Sequence, residues 1–125
     1  MIVGIGTDIV KIDRIGNSII RTRNFLSGVF SEEEIDYFNS KSNRIESIAG
    51  NFAAKEAISK ALGTGFRGFR PKDIEILRDE FGKPIVKISD KVKEKFKLDN
   101  YTIHVSISHT DDDAIAFAVL EVLDK

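Results

Sequence analysis

Two acidic residues and one lysine, far apart in the sequence, could bind a divalent cation together with phosphate groups. Asp8 interrupts the apolar, glycine-containing segment 2–10, where aspartate is disfavoured if the segment is a strand. Glu56 and Lys60 are four residues apart on one face of a predicted helix. Mg²⁺ usually takes one or two carboxylates with phosphate oxygens and water. Each residue also has a purely structural interpretation. Asp8 could cap backbone amides at the end of a strand, and Glu56 and Lys60 could form an exposed ion pair on the helix surface.

The apolar composition of the helix that carries Glu56 and Lys60 favours the interpretation of these two residues as a shielded, functional pair. At about 100° per residue, the two side chains continue an apolar arc made of Ile45, Ile48, Ala49 and Phe52. Burying a carboxylate and an ammonium there is costly unless each is paired or bound to a metal. The C-terminal half of this helix is apolar on nearly all sides, as is typical of a central helix or of a helix at a subunit interface. Its apolar residues are Ala53, Ala54, Ala57, Ile58, Ala61 and Leu62.

Residues 60–72 form a basic, glycine-containing segment that could bind phosphate. The segment has no acidic residue, and its basic residues are Lys60, Arg67, Arg70 and Lys72. Gly63 and Gly65 would let backbone amides approach an anion, and guanidinium groups bind phosphate oxygens in a fork. The segment is not a P-loop, because the glycines follow a helix whose C-terminal carbonyls repel phosphate. The alternative is a helix cap followed by a solvated loop.

His109 ends a segment, 103–109, in which apolar residues alternate with polar ones. A histidine at the end of an apolar strand face is either a hydrogen-bonded rim residue or a ligand contact. Ser108 is adjacent in sequence, so the two side chains point to opposite faces of the predicted strand. The spacing therefore does not indicate a serine nucleophile with its base.

The first predicted helix has a basic face. Arg14 and Arg21 are seven residues apart and lie within about 20° of each other on the helix. Residues 11–23 contain four basic residues and one acidic residue, a net charge of +3. Such a face on a nearly neutral protein suits an acidic protein partner, although an ordinary solvated face has the same pattern.

Length and composition predict one cytoplasmic domain over residues 1–125. The 42% hydrophobic and 31% charged residues are typical of a globular protein. A formal net charge of −1 gives no general attraction to nucleic acid. The absence of cysteine excludes a disulfide, a thiolate metal site and a cysteine nucleophile, and it agrees with a reducing compartment. No apolar run approaches the ~18 residues of a membrane span, and the first residues lack a basic leader.

The positions of helices and strands predict an α+β fold with a long central helix and antiparallel strands in hairpins. Helical spacing predicts a helix over 12–23. A capping box at Ser31 and Glu34 predicts a second helix from 32 to about 39. A third helix is predicted over 44–62, with a C-terminal cap at Gly63. Strands are predicted over 2–10, 73–78, 84–89, 101–109 and 114–123, with a brief surface helix over 90–98.

Three motifs in a fixed order resemble the bacterial holo-acyl-carrier-protein synthases, which are 4′-phosphopantetheinyl transferases. They are the segment 3–10 (VGIGTDIV), the segments 52–57 and 60–65 (FAAKEA and KALGTG), and the segment 105–110 (VSISHT). The resemblance extends from residue 1 to about residue 122. It implies transfer of the phosphopantetheine arm of coenzyme A to a serine of apo acyl-carrier protein in fatty acid biosynthesis, with release of adenosine 3′,5′-bisphosphate.

The resemblance also implies a role for each motif residue. Asp8 and Glu56 would hold a catalytic Mg²⁺. The attacking hydroxyl must also lose a proton, and we expect Glu56, directly or through a metal-bound water, to be the general base. Lys60 would balance charge on the phosphates in the transition state. Arg14 and Arg21 would dock the acidic helix of the carrier protein. The coenzyme A-binding residues would be Lys60, Gly63, Gly65, Arg67, Pro84 and His109.

The family is typically a homotrimer with sites between subunits, so this assembly is expected here. Segment 66–70 (FRGFR) departs from the commoner family pattern in its two aromatics and two arginines. Two other functions are compatible with parts of the pattern. A Mg²⁺-dependent pyrophosphate hydrolase would use the same carboxylates, and a non-catalytic module that binds carrier protein or coenzyme A would use the basic face.

Overall fold

The fold is α+β, with most helices in the first half of the chain and most strands in the second. A computed structural model describes residues 1–123. The elements are β1 Ile2–Lys11, α1 Ile12–Arg21, α2 Phe25–Val29, α3 Glu32–Ser40, α4 Ile45–Ala61, β2 Ile74–Arg78, β3 Pro84–Ile88, α5 Asp90–Phe96, β4 Tyr101–His109 and β5 Asp113–Val122. The predicted fold class is therefore confirmed, and the predicted bounds differ by one or two residues at most ends. Within the described residues, no helix is both long enough and apolar enough to cross a bilayer.

Two antiparallel sheets organise the strands. β1, β5 and β4 form one sheet in that order, and β2 and β3 form the predicted hairpin. In the larger sheet, Asp8 is opposite Ala116 and His109 is opposite Ala114. From Gly4 on, the even-numbered residues of β1 face α4, whereas the odd-numbered ones are exposed on the other side. Asp8 is therefore on the helix-facing side of the sheet.

Glycines in β1 let the central helix pack directly on the strand. A Cβ at Gly4 would overlap the carbonyl oxygen of Ala61, and a Cβ at Gly6 would overlap that of Ala57. No residue other than glycine fits at this distance. Asp8 is the next residue of β1 on the same face, so this close packing also brings its carboxylate to the flank of α4.

A buried polar cluster, absent from the predictions, connects α3, α4 and β2. Lys55 and Glu34 form an ion pair with a distance of 2.7 Å from Nζ to Oε1, and their side chains are 1% and 0% exposed. Nζ of Lys55 also donates hydrogen bonds to the carbonyl oxygens of Pro71 and Ile74. Glu34 accepts bonds from the backbone N–H of Ser31 and of Ile76. The capping box predicted at Ser31 is present, but Glu34 has this second role as well.

Candidate functional site

Asp8, Glu56 and Lys60 come together on one flank of α4. Nζ of Lys60 donates a hydrogen bond to Oδ1 of Asp8 at 3.1 Å and another to the carbonyl oxygen of Thr7 at 2.9 Å. The Asp8 side chain is 18% exposed and that of Lys60 is 51% exposed. Lys60 thus pairs across to β1 rather than with Glu56, four residues earlier on its own helix.

A cavity of about 300 Å³, here called the carboxylate cavity, contains both carboxylates. Asp8 and Glu56 line it together with Arg14 of α1. Phe25 and Phe52 form an apolar wall, with ring centroids 6.3 Å apart. The cavity therefore joins two oxygen ligands, a cation and an apolar surface at the place where α1 meets α4.

The electrostatics of the carboxylate cavity disfavour a charged Glu56. Burial raises the pKa of Glu56, and the negative charge of Asp8 raises this pKa further, while Lys60 lowers it. A divalent cation between the two carboxylates would relieve their repulsion. Residues 1–123 contain no cluster of three or more histidine, cysteine, aspartate or glutamate side chains that could hold a metal ion. Two carboxylates with open positions fit Mg²⁺, because substrate phosphates and water complete its coordination.

The loop after α4 begins two residues beyond Lys60, because the helix ends at Ala61. Gly63 has a φ of 95° and Gly65 a φ of 63°, so the left-handed cap predicted at Gly63 is confirmed. The backbone N–H of Gly63 donates to the carbonyl oxygen of Lys60 at 2.9 Å. Arg67 is exposed in this loop. The loop that follows Lys60 therefore presents two positive-φ glycines and an exposed guanidinium.

Pro84 and His109 line a second cavity, of about 210 Å³, here called the arginine cavity. Two arginines that sequence reasoning missed, Arg44 and Arg78, lie in its wall. Arg44 forms an ion pair with Glu46 at 3.1 Å. His109 is exposed, and its Nδ1 is 3.1 Å from the carbonyl oxygen of Thr110. No spacing in the sequence distinguishes these two arginines, because one precedes a helix and the other ends a short strand.

The two cavities are on opposite flanks of α4. Ser47 lines the arginine cavity and Glu56 lines the carboxylate cavity, and no residue lines both. The two residues are nine positions apart, which is about 180° around the helix. The residues expected to bind coenzyme A are thus divided. Lys60 and its loop lie on one flank, and Pro84 and His109 lie on the other.

The basic face predicted on α1 is exposed and adjoins the carboxylate cavity. Arg14 and Arg21 are both exposed, and neither takes part in the ion pairs found within residues 1–123. Arg14 lines the carboxylate cavity, whereas Arg21 lies two turns further along the same face. A protein bound along α1 would therefore have one end at the two carboxylates.

Comparisons with known proteins agree in sequence and in structure. The sequence profile of the 4′-phosphopantetheinyl transferase superfamily matches residues 4–118. The chain is 58% identical to a holo-[acyl-carrier-protein] synthase of Clostridium botulinum (strain Eklund 17B / Type B), over 98% of this chain and 100% of that protein. It is similar to the crystal structure of a Bacillus anthracis holo-(acyl-carrier-protein) synthase in complex with CoA (3′,5′-ADP), with a TM-score of 0.83, 38% identity, and 98% and 99% of the two chains covered. It is also similar to Helicobacter pylori holo-[acyl-carrier-protein] synthase in complex with coenzyme A, with a TM-score of 0.84, 35% identity, and 94% and 99% covered.

Proposed function

The chain belongs to the 4′-phosphopantetheinyl transferase superfamily, among its holo-[acyl-carrier-protein] synthases, and we propose on this basis that it transfers the phosphopantetheine arm of coenzyme A to apo acyl-carrier protein. The serine oxygen of the carrier forms a new bond to the phosphorus next to the pantetheine. The bond from this phosphorus to the bridging pyrophosphate oxygen breaks, adenosine 3′,5′-bisphosphate leaves, and the serine proton passes to a base. The observation that carries this function is that Asp8 and Glu56 line one cavity and that Lys60 is paired with Asp8.

Asp8 and Glu56 would hold Mg²⁺, for which the carboxylate cavity has a suitable donor set. The bound ion would supply charge neutralisation at the pyrophosphate. Glu56 is the proposed general base, directly or through a water molecule, because it lines the carboxylate cavity beside Arg14 of the proposed docking face.

Lys60 is suited to balance charge on the phosphates. Its ammonium is half exposed and is held by hydrogen bonds to the carbonyl oxygen of Thr7 and to Asp8, a residue of the carboxylate cavity. Phosphoryl transfer depends mainly on alignment and charge neutralisation, which a fixed ammonium provides. Next to Lys60, the positive-φ glycines Gly63 and Gly65 and the exposed Arg67 would contact the coenzyme.

The proposed assembly is a homotrimer with its sites between subunits. Pro84 and His109 lie on the opposite flank of α4 from Lys60, so one bound coenzyme reaches both groups most simply if two chains contribute. The face of the larger sheet away from α4 is apolar and uncovered, with Ile5 62% and Phe117 43% exposed. Apolar patches of this kind mark protein interfaces, and we assign this one to further copies of the chain.

Arg14 and Arg21 are the proposed docking residues for the carrier protein. Both are exposed on α1, and Arg14 is also in the wall of the carboxylate cavity. An acidic carrier helix on this face would bring its serine to Glu56, with charge complementarity mainly increasing the association rate. The location that we propose is cytoplasmic, with which the absence of cysteine agrees.

Intact-mass spectrometry of apo acyl-carrier protein tests the function. The carrier is incubated with this protein, coenzyme A and Mg²⁺, beside a control that contains EDTA. A metal-dependent gain of one phosphopantetheine arm is expected. An unmodified carrier with intact coenzyme A would favour a binding module, and coenzyme A cleaved without carrier modification would favour a pyrophosphate hydrolase.

A further inference from the structure

The loop that follows α4 is rich in glycine and is fixed at both ends. It consists of residues 62–70, contains three glycines, and is here called the glycine loop. Near its start, the backbone N–H of Gly65 donates a hydrogen bond to the carbonyl oxygen of Ser59 in α4 at 3.1 Å. At its end, the N–H of Arg70 donates to Oδ2 of Asp73 at 2.8 Å. Glycine has more backbone freedom than any other residue, so a loop of this composition needs further contacts to keep one conformation.

Two phenylalanines of the glycine loop supply further contacts. Phe69 is 4% exposed and belongs to the main apolar core. The ring of Phe66 packs against that of Phe69, with centroids 5.3 Å apart. The ring of Phe96 in α5 meets Phe69 edge to face, with centroids 5.8 Å apart and an angle of 88° between the ring planes, a geometry that aromatic pairs favour. These three rings, here called the aromatic cluster, attach the middle of the glycine loop to α5.

α5 makes a second contact with the glycine loop through Lys95. Nζ of Lys95 lies 2.9 Å from the position that a Cβ of Gly68 would occupy and 5.7 Å from the ring centroid of Phe96. Gly68 has a φ of 82°, a conformation that glycine adopts without strain, and its lack of a side chain leaves room for Lys95. α5 is in turn held in the core by Val92, which is fully buried. The glycine loop is therefore supported by a fixed element of the fold.

The proposed coenzyme contacts of the glycine loop lie between these attachments. Gly63 is exposed and precedes the aromatic cluster, and Arg67 is exposed between Phe66 and Phe69. The two anchored rings therefore determine where the backbone places Arg67, while its side chain stays on the surface. Ordering a mobile loop when a ligand binds reduces the affinity, and a loop that is already ordered avoids this loss.

We propose that Phe69 and Phe96 are positioning residues for coenzyme A, because their contact keeps the glycine loop in its binding conformation before the coenzyme arrives. This inference rests on the proposed function, in which the glycine loop contacts the coenzyme. The same contact accounts for segment 66–70, which departs from the commoner family pattern in its two aromatics and two arginines. The two aromatic residues fix the loop, and both arginines are exposed.

Substitution of Phe96 tests the proposal through coenzyme affinity. Phe96 is half-buried, so Phe96→Leu keeps an apolar side chain there and removes only the ring. In isothermal titration, coenzyme A should bind this variant about 2- to 10-fold more weakly than the wild type, as expected for the loss of one aromatic contact. The KM for coenzyme A should rise by a similar factor with kcat unchanged, because the loop acts on binding and not on the chemical step. Phe96→Tyr keeps the ring and should bind coenzyme A like the wild type.

Phe38→Leu is the matched control. The rings of Phe30 and Phe38 also meet edge to face, with centroids 5.0 Å apart, but in the other apolar core cluster. Phe38 is fully buried, so this variant should lose at least as much thermal stability as Phe96→Leu and should keep the wild-type affinity for coenzyme A. If melting temperatures show that Phe96→Leu has lost its fold, Phe66→Leu at the other end of the aromatic cluster takes its place.

Hydrogen exchange reports the conformation of the glycine loop without any ligand. The backbone N–H of Gly65 should exchange faster in Phe96→Leu than in the wild type, and coenzyme A at saturating concentration should restore its protection. A purely structural contact would lower the melting temperature without this response to coenzyme A.

Two outcomes would overturn different conclusions. An unchanged affinity in Phe96→Leu, or an equal loss of affinity in Phe38→Leu, would remove the aromatic cluster from coenzyme binding and leave the transferase intact. A wild-type protein that does not bind coenzyme A would overturn the proposed function itself, whatever the exchange rate at Gly65.

Discussion

Replacing Lys55 by methionine should destabilise the fold far more than the loss of an exposed lysine does. The Lys55 side chain is 1% exposed, and its ammonium donates to Glu34 and to the carbonyl oxygens of Pro71 and Ile74. Methionine has a similar length but no donor, so the substitution removes the charge and these three bonds while it largely keeps the packing. The Glu34 carboxylate would then be buried without its counter-charge.

The expected loss is about 4 kcal/mol, because breaking a buried ion pair by removing one partner costs about 3–5 kcal/mol. The N–H groups of Ser31 and Ile76 still donate to Glu34, which limits the loss. The two carbonyl groups left without a donor increase it. The total stability of a domain is about 5–15 kcal/mol, and a change of 1 kcal/mol shifts the Tm by about 4 °C at this length. The Tm should therefore fall by about 15 °C.

Urea unfolding followed by circular dichroism measures the loss directly. Lys91→Met, on the exposed face of α5, is the matched control and should change the stability by no more than about 0.5 kcal/mol. In a double-mutant cycle with Glu34→Gln, the second substitution should cost at least about 1 kcal/mol less when the first is present. A loss below about 1 kcal/mol for Lys55→Met, or strictly additive effects, would refute the reasoning.

Three further predictions concern the proposed site and assembly. Glu56→Gln should abolish transfer by mass spectrometry and yet raise the Tm of the metal-free protein at neutral pH. The reason is that burial and Asp8 raise the pKa of Glu56 above its ordinary value of 4.5. The carboxyl group therefore costs stability as the pH rises from this ordinary value, and the cost is complete above the folded-state pKa. The gain in the variant should vanish below about pH 4, where both proteins are neutral at this position, and an equal gain at every pH would contradict the assignment. Arg21→Glu should raise the KM for carrier protein about tenfold or more with little change in the KM for coenzyme A, because Arg21 does not line the carboxylate cavity, and an unchanged carrier KM would exclude Arg21 from docking. Ile5→Lys, on the uncovered sheet face, should convert the proposed trimer into monomers in light scattering, whereas an intact trimer would mean that another face forms the interface.

Local patterns in the sequence predicted most of the elements correctly. The period of α4, the capping box before α3 and the glycine turn between β2 and β3 each depend on residues a few positions apart. The short helix Phe25–Val29 was missed because five residues carry too little periodicity, and its N-cap residue, Asn24, has a left-handed backbone that no local signal required. Helix and strand ends depend on the same local chemistry, which explains their agreement with the structure.

The same patterns identified residue types suited to the chemistry, but not their distances. Asp8 and Lys60 are 52 residues apart in sequence, and their contact exists because Gly4 and Gly6 let α4 lie against β1. Sequence analysis singled out Glu56 as a carboxylate on an apolar helix, and its side chain lines the carboxylate cavity. Only the packing of β1 decides that Asp8, rather than Glu56, pairs with Lys60.

Glu34 shows the limit of local sequence information most directly. Its place three residues after Ser31 predicts a capping box, and that prediction is confirmed. Its contacts with Lys55, 21 residues away, and with the backbone N–H of Ile76, 42 residues away, require α3, α4 and β2 to meet in the core. The division of the proposed coenzyme residues between two flanks of α4 likewise follows from which strands cover the helix. The sequence by itself determined the local elements and the chemistry available, because both depend on neighbouring residues. Tertiary packing alone decided which charges are buried, which are paired and which cavity each one lines.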